Sequence, residues 1–243
     1  MPILLQKPIG QKLEHGSYYM MQGPKFQETY HHFLDAEDTC CKGRLSLTFR
    51  VTAPYGLSSQ CKDEAKILMD GKSYLHYHPS VCKEVSFDML MNEFGSKLEH
   101  DTTTMFKKTH LNNGRLSGEF LDCRLPLWEE PHRFNYKYAG RSHVGQSMGD
   151  LMIELLEIVY LITKQRFDWC HVVYYPTGFC KIGAHGDKEN TIYSGSNIAC
   201  LSIHEDPFEF RTIKFRNAPL SKDLKEVKKA KKSSNVVKKR KLK

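Results

Sequence analysis

The sequence predicts a mainly β protein with helices, an α+β chain, on three observations. The segment Arg44-Leu45-Ser46-Leu47-Thr48-Phe49-Arg50-Val51 alternates strictly, with Leu45, Leu47, Phe49 and Val51 on one face and Arg44, Ser46, Thr48 and Arg50 on the other. Strand-like runs return after Phe167. Between the two lie stretches with helical spacing.

Taken in order, residues 10–52 read as strands, broken by a turn at Gly23-Pro24 and a polar loop through Asp35–Lys42. Residues 53–85 hold Pro54, Gly56, Ser58, Ser59 and Gly71 with weak periodicity and read as a connector. Ser86 is placed to cap a helix, because Phe87, Leu90, Met91, Phe94 and Leu98 recur at helical spacing behind it. A second helix is expected from about Gly149 to Thr163. Its stripe of Leu151, Met152, Leu155, Ile158, Val159 and Ile162 is widened by Ile153, Leu156 and Leu161, so it should be largely buried. Strands are expected over Phe167–Tyr175, Ile198–Ile203 and Phe208–Phe215, and from residue 221 a flexible tail.

The charge is uneven. Of 243 residues, 36 are Lys or Arg and 28 are Asp or Glu, giving a net charge of +8. Lys222 to Lys243 holds eleven Lys/Arg against two acids, a local +9, so the remainder sums to about −1. The body is near neutral and carries a basic tail. Its 40% hydrophobic content suits a folded core. No apolar run reaches the roughly 18 residues of a membrane helix, and the opening MPILLQKPIGQKLEHG is too short in apolar residues for a signal peptide. The eight Cys are scattered without a CxxC pair, which speaks against zinc ribbons and for reduced thiols.

His185-Gly186-Asp187 is the first candidate for chemistry. On an extended strand, residues two apart point to one side, about 7 Å apart along the backbone. A distant third ligand would complete a two-histidine, one-carboxylate facial set, which leaves open positions on non-haem Fe(II). By itself the pair is weak, and a surface His beside an Asp is the plainer reading.

Its surroundings add weight. The run Phe167-Asp168-Trp169-Cys170-His171-Val172-Val173-Tyr174-Tyr175-Pro176-Thr177-Gly178, then Ile182-Gly183-Ala184-His185-Gly186-Asp187-Lys188-Glu189, resembles the AlkB family of Fe(II)/2-oxoglutarate dioxygenases, in its animal nucleic-acid repair branch. Residues 196–203 and 208–211 look like the next two strands of that family, Pro131 through Gly140 its substrate-side segment, and 149–163 its helix. The third ligand and the arginines should follow His-x-Asp, yet they look to be at the front. There Leu13–Met21 resembles the strand before the distal His, Tyr30-His31 matches that ligand, and Gly43–Arg50 matches the closing Arg-x-Asn-x-Thr-x-Arg strand. The resemblance covers roughly residues 10–52 and 86–215, in reversed order.

The resemblance therefore implies a double-stranded β-helix (jelly roll) with permuted motif order. Residues 1–52 would be its C-terminal half, 53–85 the connector, 86–220 the N-terminal half with the HxD motif, and 221–243 the basic tail. A permuted chain is tolerated where new ends fall in exposed loops and old ends can be linked. A misassembled gene model and a slice across two tandem domains are the alternatives.

The same resemblance implies the site. His185, Asp187 and His31 would hold iron, with His32 taking the place of His31 if the register differs by one. Arg44 and Arg50 would pair the 2-oxoglutarate carboxylates through bidentate bonds, with Tyr175 and Ser46 beside them. Tyr136, Tyr138, Lys188 and Glu189 would meet the substrate. Three departures from the family pattern stand out. Val173 replaces an Asn that would bond 2-oxoglutarate, Ser46 replaces a strand Asn, and Lys188 follows the metal Asp where an acid is usual. A lysine there would repel a positively charged methylated base.

Other features read more plainly. His76 and His78 have HxH spacing inside the connector, His171 reads as a satisfied core histidine, and Trp128 and Trp169 as packing residues. In the tail, Lys228, Lys229, Lys231 and Lys232, then Lys238, Lys239, Arg240 and Lys241, resemble a bipartite nuclear localisation signal and would also contact phosphates.

The expectation is thus a nuclear, monomeric enzyme that uses Fe(II), 2-oxoglutarate and O2 to demethylate N-alkylated bases in DNA by oxidation, after flipping the base into a pocket. The alternatives are an RNA or protein 2-oxoglutarate oxygenase, and a degenerate domain that only binds nucleic acid.

Overall fold

The alternating segment becomes the middle of a large sheet. The computed structural model describes residues 8–23, 26–35, 42–52, 66–68, 73–100, 114–124, 136–138, 141–187, 192–193 and 196–217. The front of the chain supplies β1 (Ile9–Glu14), β2 (Ser17–Gln22), a single-turn α1 (Phe26–Thr29), β3 (Tyr30–Leu34) and β4 (Arg44–Arg50). Next come β5 (Lys66–Leu68), β6 (Tyr74–His78), α2 (Phe87–Phe94), β7 (Glu99–His100), β8 (Leu116–Leu121), β9 (Tyr136–Tyr138), β10 (Arg141–His143) and β11 (Gln146–Ser147). The chain continues through α3 (Asp150–Thr163), β12 (Trp169–Tyr175), β13 (Ile182–His185), β14 (Ile198–His204) and β15 (Phe210–Asn217).

Nine strands form one sheet in the order β11-β8-β12-β4-β14-β2-β6-β5, with β7 alongside β8. Four form a second sheet in the order β1-β15-β3-β13, and β9 pairs with β10. The protein is mainly β with two helices of more than one turn, and among the described residues neither sheet closes into a barrel.

Strand β4 explains the architecture. Its Leu45, Leu47 and Phe49 join Phe120, Val172 and Leu201 in a core completed by Phe87, Leu90 and Phe94 of α2 and Met152, Leu155 and Val159 of α3. The helices therefore cover one face of the large sheet. The other face meets the small sheet through a second core, in which Tyr19, Met21, Val173, Tyr175 and Ile198 pack with Leu13, Leu34, Ile213 and Phe215. Arg44 is 3% exposed and Arg50 6%, so even the polar face of this alternating strand is covered.

Both helices follow from their ends. Ser86 Oγ accepts from the Met89 N–H at 3.2 Å, the cap expected from the sequence. Gly149 at the start of α3 has no side chain to cap it, and Glu93 of α2 does so instead, accepting from the N–H groups of Leu151 at 2.8 Å and Met152 at 3.1 Å. An acid at a helix N-terminus also complements its dipole.

The segment expected to be a plain connector contributes strands. Tyr74–His78 pairs with β2 from Tyr18↔His78 to Gln22↔Tyr74, and β5 pairs in turn with β6. Leu75 enters the second core and His76 donates Nε2–H to Gln22 Oε1 at 2.7 Å, so the HxH spacing reflects a strand, with His76 a buried residue.

Candidate metal centre

Two adjacent strands of the small sheet, and the residues just after one of them, bring three potential metal ligands together. Strand β3 lies between β15 and β13, with His32 opposite Phe215 on one side and opposite His185 on the other. The irregular β13–β3 register, shifted between Ile182 and His185, brings the two imidazoles together with ring centroids 4.2 Å apart. Asp187 follows two residues later, its Oδ1 at 3.7 Å from His185 Nε2. One ligand atom each from His32, His185 and Asp187 lie within 4.8 Å of one another. Two imidazoles and one carboxylate make a facial donor set of the kind non-haem Fe(II) takes.

The candidate cluster contains His32 in place of the expected His31. Side chains alternate along β3, so Tyr30, His32 and Leu34 are buried while His31 and Phe33 are less so. His32, 9% exposed, faces His185, and His31 sits at the neighbouring position opposite Arg216. Of the two registers that the sequence leaves open, pairing puts His32 beside His185.

The protonation states suit ligation. Burial, with the nearby positive potential of His185, lowers the His32 pKa to about 3, so its ring is neutral across the physiological range. His185 Nδ1 donates to the Gly183 carbonyl at 2.8 Å, which orients the ring with Nε2 towards Asp187. Burial of Asp187 opposes ionisation, but the Arg50 guanidinium beside it holds the carboxyl below its ordinary range. His185, with a side chain 35% exposed, is the open side of the site.

The arginine strand lies against this centre. Arg50 Nη2 is 3.4 Å from Asp187 Oδ2. Arg44, at the other end of β4, donates Nε–H to Ser202 Oγ at 2.7 Å and lies 5.3 Å from the Tyr175 ring centre. Ser46 lies between them on the same face, opposite Val173 and Ser202. Arg44, Ser46, Tyr175 and Arg50 are thus gathered on the inner face, but Arg50 reaches the metal carboxylate instead of standing free for a ligand. Of the remaining predicted residues, Tyr136 and Tyr138 fall in β9, paired with β10 apart from both larger sheets. Lys188, Glu189 and the tail cations from Lys228 to Lys241 lie outside the described residues.

Several inner-face residues escape sequence reading. Glu119 accepts from Trp169 Nε1 and from His171 Nδ1. His204 Nε2 meets Ser202 Oγ at 3.2 Å beside Arg44, and burial together with Arg44 lowers its pKa to about 3. Arg115 lies 5.7 Å from the Tyr175 ring centre. Strand-like alternation around Leu116–Leu121 was the signal available for Glu119 and Arg115, but Gly118 interrupts it.

Comparison of the chain with protein-family models, curated proteins and solved structures finds no match.

Proposed function

We propose that the protein is an Fe(II)/2-oxoglutarate-dependent dioxygenase that demethylates N-alkylated bases in DNA by oxidation. The observation that carries this reading is the His32–His185–Asp187 cluster, whose atoms and protonation states fit Fe(II). The fold it implies is a double-stranded β-helix with permuted chain order. Insertion of β4 from the front of the chain between β12 and β14 supports an assembly within one chain, as opposed to a slice across two tandem domains.

Iron, with 2-oxoglutarate and O2, would supply the hydroxylation that turns an N-methyl group into one lost as formaldehyde, with succinate and CO2 as co-products. The chain's own residues bind and orient. His32, His185 and Asp187 would hold the metal, and Arg50 fixes the Asp187 carboxylate through its ion pair. Arg44 is a buried guanidinium whose hydrogen bond goes to a neutral hydroxyl, a setting that favours an anionic co-substrate carboxylate. Tyr175 and Ser46 would line that end, and Val173 presents an apolar wall where the resembled family has an Asn. Tyr136, Tyr138, Lys188 and Glu189 are assigned to the substrate side, and the basic tail to nuclear entry and phosphate contact.

The test incubates the full chain with Fe(II), 2-oxoglutarate and methylated DNA or RNA oligonucleotides, beside His185→Ala and Arg50→Ala. Turnover of DNA that both variants lose is the expected result. Demethylation that survives in both variants refutes the site. Turnover confined to RNA moves the substrate assignment, and absence of both iron binding and turnover leaves a nucleic-acid-binding module.

A further inference from the structure

Thr48, Cys200 and Tyr19 lie opposite one another on β4, β14 and β2, in one row across the inner face of the large sheet. Directly opposed residues on paired strands bring their Cβ atoms about 5 Å apart. Cys200 Sγ donates to Thr48 Oγ1 at 3.5 Å, which leaves the sulfur lone pairs to accept from the Tyr19 hydroxyl. Tyr19 is 3% exposed and Cys200 2%, and both belong to the core between the two sheets. The Cys200 thiol is in no disulfide.

The pair lies beside the candidate metal centre. Asp187 acts electrostatically on both groups, Arg44 on Tyr19 and Arg50 on Cys200. The Tyr19 ring meets Phe215 edge-on with centroids 6.1 Å apart, and Phe215 lies 6.2 Å from the His32 ring. Burial pushes the Tyr19 hydroxyl and the Cys200 thiol upward, so both stay protonated at neutral pH. A protonated thiol is a poor nucleophile, which closes off its ionic chemistry. Oxidation stays open, because a phenol and a thiol give up hydrogen atoms more readily than aliphatic C–H groups do.

We propose that Cys200 Sγ and a ring Cε of Tyr19 become joined by a thioether bond, a modification made on this chain by its own metal centre when no substrate is bound. The assignment rests on the dioxygenase reading above, which supplies the oxidant. Sγ–H and Cε–H break and Sγ–Cε forms, a two-electron oxidation of the pair. One oxygen atom of O2 enters succinate as 2-oxoglutarate loses CO2, and the other leaves as water with the two hydrogens. The bond ties β2 to β14. It also removes a thiol that stepwise oxidation would otherwise turn into sulfenic and sulfinic acids inside the core.

Peptide mass spectrometry of the full chain tests this. The protein is prepared without metal and without air, exposed to Fe(II), 2-oxoglutarate and air, then reduced, alkylated and cut with trypsin. The expected product is a branched peptide joining residues 13–25 to residues 189–211, lighter than their sum by two hydrogens and resistant to thiol reductants. Fragmentation should place the bond on Tyr19, since Tyr18 belongs to the opposite core. Cys200→Ser, Tyr19→Phe, His185→Ala and added chelator should each abolish it. No branched peptide in the wild type, a bond on Tyr18, or equal yield with chelator overturns the proposal, and these readings need no variant to fold. Succinate is measured on the same samples. Succinate release without the branched peptide overturns the cross-link and leaves the dioxygenase reading standing. A metal-dependent branched peptide that forms equally without 2-oxoglutarate, with O2 then leaving as hydrogen peroxide, keeps the cross-link and removes the 2-oxoglutarate reading.

Discussion

Arg50 Nη2 sits 3.4 Å from Asp187 Oδ2, both groups buried, so a cation from the fourth strand fixes a carboxylate supplied after the thirteenth. The pair couples the arginine strand directly to the candidate metal centre. Arg50→Ala should lower stability by about 3 kcal/mol, because it leaves a buried charge uncompensated. In the Asp187→Asn background the same change should cost much less, a non-additivity read from denaturant melts of the four proteins in the cycle. Additive losses would sink the coupling.

The register of β3 makes a sharp distinction between adjacent histidines. His32→Ala should weaken Co(II) or Fe(II) binding by more than about 100-fold, since loss of a direct ligand exceeds the effect of losing an outer partner. His31→Ala should leave it within a few-fold. The reverse order in a metal titration would restore His31 as the ligand.

His204 predicts an acid-dependent stability. Arg44 from β4, His15 beside β1 and Arg211 from β15 all oppose its protonation, and burial opposes it most. The folded pKa of about 3 lies below the ordinary 6.5, so unfolding takes up a proton between those values. Stability contributed by neutral His204 is full above pH 6.5 and falls as the pH drops towards 3, by up to about 1.4 kcal/mol per pH unit. His204→Gln should remove that part of the slope. Urea melts at pH 7, 6, 5 and 4 check it, and parallel slopes in both proteins would refute it.

Glu93 caps α3 from another helix. Glu93→Ala strips the Leu151 and Met152 N–H groups of their acceptor and should cost about 1–2 kcal/mol, while Glu93→Gln should recover part of it. Gly149→Ala should also destabilise, because an added Cβ would meet the Glu93 carboxylate carbon at 2.5 Å. Thermal melts that leave all three variants unchanged would discount the cap.

Deleting residues from Lys222 onward removes eleven cations. Affinity for an unmodified oligonucleotide should fall, its salt dependence should flatten, and nuclear entry should decline. Metal binding should not change. Loss of metal binding on truncation would contradict the division into body and tail.

Legibility in the sequence followed the physics of each element. Strand β4 could be read because its apolar and polar residues alternate, and α2 because Ser86 caps a clear stripe. In β2 the run Ser17–Met21 is buried on both faces, so its pattern is nearly continuous and only the neighbouring strands give it a place. The candidate ligands on the HxD side are local and readable. Choosing between His31 and His32 needed the pairing of β3 with β13, a contact across more than 150 residues that no local pattern encodes. Glu119 was invisible for a similar reason, since its meaning comes from His171 on the adjacent strand.

Insertion of β4 between β12 and β14 also constrains the order of events during synthesis. Arg44 and its partner Ser202 are 158 positions apart, and Thr52 bonds Asp168 across 116. A nascent chain that has already released its arginine strand has no neighbours for it until the last quarter of the described fold has emerged. Such distant pairings close slowly and leave strand edges unprotected meanwhile. The early segment must therefore wait, and the candidate metal cluster of His32, His185 and Asp187 cannot assemble before the chain is nearly finished.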